Sequence, residues 1–335
     1  MSPAHPTTRP ALTSLLVAAV AATTLSSCSG SDVPGSKPSR TTPADKRQAL
    51  RGVITPAQAR RVLDHYERTN NQANKTQDPQ LLATVEAGQL YERSKAELAQ
   101  LPALNPKEKK QYAEPFHFTR RSFHIPARGG WFAAEATTSG GERTFMVFDK
   151  TPGGQWKKVY SLFPPRSMPA PTTRRGIADT AETHHKAGPA HWRLAPQEVT
   201  AAVEDLFTTG GKKRGRVLSH VTGRAQRILN THRNRADHVN GQALVHFTPI
   251  RPASETAYAL RTRSGVLAIV PLAHRQTFVV TRPELRMQPD KNEAIYDKRP
   301  RRAVTDLFQG EALVLLPDEG KPTILDYRYA LVDSR

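Results

Sequence analysis

The stretch TPAQARRVLDHYERTNNQANK, residues 55–75, predicts the helix around which the first half of the chain folds. Thr55 is a typical N-cap residue, and Pro56 stands at the first helical position, where its missing N–H is tolerated. One face repeats at three- and four-residue steps and is suited to a core; it comprises Ala59, Val62, Leu63, Tyr66, Asn70 and Ala73. Because a buried amide must find hydrogen-bond partners, we expect Asn70 to bond to backbone at a sheet edge.

A shorter helix and a β-meander are predicted to follow. DPQLLATVEAG, residues 78–88, has Asp78 as a cap and Gly88 as a stop, and the run that begins at residue 91 continues the helical pattern. Four aromatic and β-branched runs then alternate with Gly-rich turns, which favours four antiparallel strands. These runs cover residues 113–126, 130–139, 143–150 and 155–163.

The second half repeats this order. Residues 164–193 carry several prolines and little apolar periodicity, so we interpret them as a linker. A helix is predicted over residues 195–211 and a second over residues 224–236. Strand-like runs then cover residues 242–250, 256–263, 265–274, 276–281, 311–317 and 323–333. The expected fold class is α+β, with two modules over residues 53–163 and 194–335, each with helices followed by an antiparallel β-meander.

The N-terminus has the pattern of an export signal. Residues 11–22 are small and apolar with no charge, and this run is too short to span a membrane. We therefore expect a signal peptide over residues 1–27. Residues 28–52 are rich in Ser, Pro and charged residues, which predicts a flexible tether.

Cys28 is the only cysteine of the chain and ends the sequence Leu-Ser-Ser-Cys at residues 25–28. This sequence resembles the bacterial lipobox. The resemblance implies cleavage before Cys28, a diacylglycerol on its thiol and an anchor on the extracytoplasmic face of the cell membrane. The alternatives are an ordinary secretory signal with a chance cysteine, or a free buried thiol. Without a second cysteine the fold has no internal disulfide.

Two further resemblances concern the folded part. The element order over residues 55–163, which ends in the strand WKKVYSL at 156–162, resembles the cystatin-like cone fold of nuclear-transport-factor-like and SnoaL-like proteins. The whole chain resembles uncharacterised actinobacterial lipoproteins with a domain of unknown function. The stretches that carry this resemblance are PAQARRVLDHYERTNNQAN, LLATVEAG, VFDKTPGGQWKKVYSL and YRYALVDSR.

The charge balance points to anionic partners. The chain of 335 residues has a net charge of +19, and residues 206–236 hold eight Lys and Arg without an acidic residue. FTTGGKKRGR at 207–216 lacks the P-loop spacing. For an exported chain we expect anionic lipid headgroups or wall polymers, and no nucleic acid. The alternative is a generic basic surface. The candidate anion-binding residues are Lys212, Lys213, Arg214, Arg216, Arg224 and Arg227.

The histidines do not predict a metal site. His184, His185 and His191 fall in the expected linker without the spacing of a zinc site, so a solvated loop is the better interpretation. His117 and His124 alternate with phenylalanines on a strand-like run and are expected to be half exposed. No metal and no cofactor is predicted.

The sequence favours a membrane-anchored binding or scaffolding module that is not an enzyme. Motifs for a nucleophile elbow, a Ser-Lys site and a phosphate loop are missing from the sequence, and no catalytic residue is predicted. The main alternative is an enzyme with a pocket in the first module, which would hold convergent polar groups with perturbed pKa values. A substrate-binding component for transport is a third possibility, but it would show alternating βαβ units.

Overall fold

The computed structural model describes residues 51–191 and 193–335. The predicted signal peptide, Cys28 and nearly all of the tether lie outside these residues. The predicted first helix is confirmed: Thr55 and Gln58 form a reciprocal capping box at its start. The helices of the first half are α1 (Pro56–Thr76), α2 (Pro79–Ala83), α3 (Gly88–Gln100) and α4 (Pro106–Ala113).

The chain leaves the helical conformation between α2 and α3. Asp78 caps α2 as expected, but Gly88 begins α3 and does not end a longer helix. Glu86 lies in the break, where the chain forms a β-bridge to Lys158. The backbone N–H of Lys158 donates to the carbonyl of Val85 at 2.8 Å. At this carbonyl, a bond to a strand therefore takes the place of a helical hydrogen bond.

The four predicted strands of the first half are confirmed. They form an antiparallel sheet, sheet A, in the order β1-β2-β3-β4. Short turns join neighbouring strands, as expected for a meander of consecutive hairpins. The strands are β1 (Phe118–His124), β2 (Trp131–Thr138), β3 (Arg143–Lys150) and β4 (Trp156–Leu162).

The segment after sheet A is mostly irregular and contains one small hairpin of β5 (Thr173–Arg174) and β6 (Ile177–Ala178). Its backbone bonds to both halves of the chain. Ala178 N–H donates to the carbonyl of Ile125 at 2.9 Å, and Ala181 N–H donates to that of Ala259 at 3.1 Å. The segment therefore packs along the body as well as connecting its two halves.

The second half begins with α5 (Val199–Thr209) and α6 (Gly223–Arg233), as predicted. An antiparallel sheet, sheet B, follows in the order β11-β10-β9, with β7 and β8 both paired to the other edge of β9. Its strands are β7 (Ala243–Pro249), β8 (Tyr258–Thr262), β9 (Gly265–Val280), β10 (Ala303–Pro317) and β11 (Thr323–Ser334). The α+β class is confirmed.

The two runs predicted at 265–274 and 276–281 are one strand, β9, despite Pro271 within it. Proline in a central strand removes a ladder hydrogen bond and normally argues against the assignment. Here Pro271 lies between the part of β9 paired with β8, which ends at Ile269, and the part paired with β7, which begins at His274. Among the described residues, therefore, none belongs to a strand paired to that edge of β9 at Pro271.

The layers run helix, sheet A, sheet B, helix. One face of sheet A packs against α1, with Phe132 and Phe148 beside Leu63. Its other face packs against sheet B, where Phe145 and Leu313 belong to one apolar cluster. The far face of sheet B packs against α5 and α6. Because β9 is covered on both faces, its sequence is a nearly continuous apolar run.

Residues 51–335 form one compact unit. The two halves share the predicted order of helices and meander, and their sheets meet face to face. The boundaries proposed at 163 and 194 stay a prediction. No helix in the part of the chain that the structure describes is both long and apolar enough to cross a membrane.

Candidate anion-binding site

A cavity of about 470 Å³ lies where α5 ends and α6 passes beside it. We call this cavity the basic pocket. Three of its lining residues are permanently cationic and two are histidines, and no acidic residue lines it among the described part of the chain. The lining residues are Thr209, Gly210, Lys212, His220, Leu229, His232, Arg233 and Arg235.

The loop that carries Lys212 is held by a buried carboxylate. Asp205 is only 6% exposed. Its Oδ2 accepts hydrogen bonds from the backbone N–H groups of Lys213 and Gly215, each at 2.9 Å, and its Oδ1 accepts from the hydroxyl of Thr209 at 2.6 Å. The loop amides that would bind phosphate in a P-loop therefore bind the chain's own carboxylate, and the loop is preformed.

Two glycines let the chain turn at the pocket wall. Gly210 ends α5 with φ 72°, and Gly211 follows with φ 76°, a region that side chains other than glycine rarely adopt. A Cβ on Gly210 would lie 2.9 Å from the ring of His232. The close approach of loop and ring explains why this position needs glycine.

His232 is oriented by a backbone bond and surrounded by positive charge. Its Nδ1 lies 2.7 Å from the carbonyl oxygen of Phe207, so this nitrogen carries the proton. Partial burial and the charges of Arg235 and Lys212 lower the pKa of His232, although the bond to Phe207 opposes this. Burial is the largest of these causes, and the positive charges beside the ring act in the same direction.

The predicted anion-binding residues occupy several places around this loop. Lys212 lines the basic pocket, and the other five lie outside its lining. Arg224 forms an ion pair with Asp326 at 3.1 Å, which offsets its charge. Four of the six belong to the exposed turn and helix face beside the pocket: Lys213, Arg214, Arg216 and Arg227.

The pocket lining includes four arginine or histidine residues beyond the six named from the sequence: His220, His232, Arg233 and Arg235. The last two belong to the same acid-free run of sequence. The two histidines become part of the site only because α6 folds back beside the end of α5. The signal for the two arginines was a run of sequence with basic and no acidic residues. The sequence contained no signal that would place the two histidines in the site.

A second concentration of charge lies at the edge where α3 crosses both sheets, and we call it the buried polar network. It consists of Tyr66, Glu86, Arg93, Lys158 and Glu311. Tyr66 donates its hydroxyl hydrogen to Glu86 Oε1 at 2.7 Å, and Lys158 Nζ donates to the Tyr66 oxygen at 3.2 Å. Arg93 Nη1 lies 2.9 Å from Glu311 Oε1.

Burial shifts the titration of this network. It raises the pKa of Glu86 to about 7, against the opposing charge of Lys158. It lowers the pKa of Lys158 to about 8, against the opposing charge of Glu86. The exposed fractions of Glu86 and Lys158 are 2% and 4%, so both groups are shielded from any ligand in solution.

Asn70 belongs to the edge of this network. Its Nδ2 donates to Glu86 Oε1 at 3.3 Å, and its Oδ1 accepts from Asn74 at 3.0 Å. The expectation of a backbone partner for Asn70 was wrong, because the helix break places a carboxylate beside α1. The sequence could indicate that Asn70 needs a partner but could not name Glu86.

The histidines considered from the sequence do not converge. His124 is buried, 2.9 Å from Glu135 through Nε2, and is not half exposed as expected. His117 is exposed and lies 3.1 Å from Glu67. His185 pairs with Glu182 at the surface. Within residues 51–191 and 193–335, no group of three or more His, Cys, Asp or Glu side chains is arranged to hold a metal ion.

A family model, described as a domain of unknown function (DUF8094), matches residues 50–335. The chain belongs to the DUF8094 family. It is also similar to an uncharacterized lipoprotein of Streptomyces coelicolor, SCO6871. The two are 26% identical over 333 residues, which cover 95% of this chain and 92% of the relative. The resemblance to uncharacterised lipoproteins with a domain of unknown function is thereby confirmed.

Proposed function

We propose that this DUF8094 protein is a lipid-anchored binding module of the extracytoplasmic membrane face, whose basic pocket binds phosphate esters. Similarity to a lipoprotein over 95% of the chain supports the anchor, as does the Leu-Ser-Ser-Cys sequence at residues 25–28. Two or three acyl chains on Cys28 would hold the protein far more firmly than one.

The observation that carries the binding role is the unbalanced charge of the basic pocket. Lys212 and Arg233 are exposed, and neither forms an ion pair with another described residue. Arg235 donates to the carbonyl of His232 at 2.6 Å, so its guanidinium is fixed at the pocket wall. A phosphate ester would supply the acceptor oxygens and the charge that these donors need.

Phosphodiesters outside a cell membrane come from two sources, anionic lipid headgroups and phosphate-bearing wall polymers. Both present the same oxygen acceptors to Lys212, Arg233 and Arg235. Each basic group near an anionic surface contributes about 1 kcal/mol at low salt, and the attraction falls off within a Debye length. Binding is therefore expected to weaken as salt rises.

An enzyme is the second candidate, and the buried polar network favours it. Tyr66 lies within hydrogen-bond distance of both Glu86 and Lys158, whose pKa values are shifted by burial to about 7 and about 8. A substrate would have to reach side chains that are at most 4% exposed. Binding at the open basic pocket needs no such rearrangement and is the function we propose.

The anchor is tested by intact-mass analysis of protein from the native membrane fraction, with Cys28→Ala as the control. We expect a mature chain that begins at Cys28 and carries the added mass of a diacylglyceryl group. A chain of unmodified mass that begins at Met1 would overturn the anchor and leave the pocket to be tested alone.

The pocket is tested with the Cys28→Ala chain, which lacks a lipid to hold it on vesicles. The probes are phosphatidylglycerol vesicles, phosphatidylcholine vesicles and soluble poly(glycerol phosphate). Replacing both Lys212 and Arg233 by Gln is expected to weaken binding roughly 30-fold, from about 1 kcal/mol for each charge. The matched control, Lys109→Gln with Lys110→Gln, removes two charges from the exposed helix α4 and is expected to change binding less than about threefold.

The binding results distinguish lipid headgroups from wall polymers as the source of the phosphodiester. Binding to phosphatidylglycerol alone identifies a lipid headgroup, and binding to the polymer alone identifies a wall polymer. Absence of binding to both probes would overturn the proposal. Equal weakening by the two double variants would also overturn it, because the attraction would then reflect net charge.

A further inference from the structure

The first half carries a second cavity, of about 570 Å³, between the start of α1 and the β3–β4 hairpin. We call it the Trp156 groove. Its volume falls within the range of small-molecule sites. The floor is apolar, with Val53, Ile54 and Val62 beside Trp156. None of its residues belongs to the basic pocket.

Trp156 gives this groove a fixed aromatic surface. The residue begins β4 and is paired across the hairpin with Lys150. Its ring packs against Phe132 with centroids 5.2 Å apart and planes at 64°. The side chain is half buried, so packing holds the ring while part of it lines the groove. The face of an aromatic ring is electron-rich and attracts the partly positive C–H groups of a sugar ring.

Amide and hydroxyl groups line the same groove. Gln58 Oε1 accepts from the backbone N–H of Thr55 at 2.9 Å, which leaves the Gln58 amide hydrogens for a ligand. Thr84 donates its hydroxyl hydrogen to the carbonyl of Leu81 at 2.6 Å, which leaves oxygen lone pairs as acceptors. Gln155 is exposed and offers both. Such a mixture of donors and acceptors suits hydroxyl groups.

The charged side chains that line the groove are basic. Arg61, His65 and Lys150 line it and are exposed, and its described lining contains no acidic residue. None of the three forms an ion pair with a described residue. A neutral sugar would leave these basic side chains without an ion-pair partner, whereas an acidic sugar would supply one.

We propose that the Trp156 groove binds a saccharide that carries a negative charge. The sugar ring lies against Trp156, its hydroxyl groups bond to Gln58 and Gln155, and its carboxylate or phosphate pairs with Arg61 or Lys150. This site lies in the other half of the chain from the basic pocket, and it goes beyond the proposed function.

The test is calorimetric titration of the Cys28→Ala chain with glucuronic acid, glucose 6-phosphate, glucose and AMP. The indole N–H resonance of Trp156, assigned with Trp156→Phe, reports the site. We expect saturable binding of at least one of the two acidic sugars, with a shift of that resonance, and glucose at least tenfold weaker. Binding of only one acidic sugar identifies the charged group as carboxylate or phosphate.

The matched variants are Arg61→Gln in the groove and Arg60→Gln at the next position of α1, which is exposed and outside the groove lining. Arg61→Gln is expected to weaken binding at least fivefold and Arg60→Gln less than twofold. The proposal is overturned if neither acidic sugar binds or if glucose binds equally well. It is also overturned if AMP binds more tightly or if the two variants act alike. The double variant of the basic pocket is expected to leave this binding unchanged.

Discussion

The basic pocket and the buried polar network contain similar residues in opposite surroundings. In the network, Arg93 and Lys158 are buried, and each has a carboxylate or a hydroxyl within bonding distance. In the pocket, Lys212 and Arg233 are exposed, and the carboxylate that holds the loop, Asp205, is occupied by loop amides. Charges paired inside the fold serve its stability, whereas charges left unpaired at a cavity are available to a ligand.

Breaking the network should produce the largest effect. Glu311→Gln removes the buried partner of Arg93 and leaves the shielded guanidinium with the half-exposed Glu97 as its ion-pair partner among the described residues. We expect a loss of about 3–5 kcal/mol in the free energy of unfolding, measured by urea denaturation. Glu97→Gln is the matched control, because Glu97 contacts the same arginine at 3.7 Å with a side chain that is 46% exposed.

The control should cost less than about 1 kcal/mol, as exposed ion pairs do. Equal losses for the two variants would contradict the distinction between buried and exposed partners of Arg93.

Titration of the network is the next largest effect. The folded state holds the Glu86 proton up to a pKa of about 7, above the ordinary 4.5, so the folded state binds more protons than the unfolded state between these values. Stability should therefore fall as pH rises from about 4.5 to about 7, by up to about 3 kcal/mol. The pKa of Lys158, about 8 in place of 10.5, has the opposite consequence, and stability should recover above pH 8.

Unfolding free energies measured from pH 4 to pH 10 check this profile. Glu86→Gln should abolish the fall between pH 4.5 and pH 7 that belongs to this carboxyl group. A variant profile parallel to that of the original chain would show that Glu86 does not titrate in this range.

A smaller effect is expected at the carboxylate that holds the pocket loop. Asp205→Ala leaves the amides of Lys213 and Gly215 without their acceptor, which should cost about 1–3 kcal/mol. Affinity for phosphatidylglycerol vesicles or poly(glycerol phosphate) should fall as well, because Lys212 is no longer positioned. Asp205→Asn keeps one acceptor oxygen. It should therefore lose less of the free energy of unfolding, measured by urea denaturation, and less of the affinity for the anionic probes, measured by binding.

An increase in anion affinity for Asp205→Ala, with the loop intact, would contradict this account. It would mean that Asp205 acts mainly by repelling the ligand.

Much of the first half was predictable because local signals and tertiary packing agree. Thr55 caps α1 as its sequence indicates, and the four runs of alternating residues became β1–β4. Helix α4 was missed because it buries no residue and therefore lacks an apolar face. Gly88 was misinterpreted because a glycine commonly ends a helix, whereas here a glycine with φ 61° begins α3.

The sites were less predictable than the fold. Lys212 was found from a run of basic residues, but the histidines of the pocket depend on the docking of α6 beside α5. The buried polar network joins residues from 66 to 311, a separation that no local pattern reveals. Its one signal is a lone charge within an apolar run, as for Glu86 in LLATVEAG.

Phosphate binding by the cations of the basic pocket should be visible at the imidazole of His232, which lines the same pocket. Burial is the largest cause of the lowered pKa of His232, and Arg235 and Lys212 lower it further, so a bound phosphate that offsets these two charges should raise it. The measurement is an NMR pH titration of the histidine ring nitrogens of the Cys28→Ala chain, with and without inorganic phosphate.

We expect a saturable rise in the pKa of His232. His117 lies in the first half with a side chain 65% exposed, and its ring resonances should not respond to phosphate. Replacing Lys212 and Arg233 by Gln should abolish the response of His232 to phosphate. A pKa of His232 that does not respond to phosphate, or a response of the His117 resonances equal to that of His232, would contradict phosphate binding in the basic pocket.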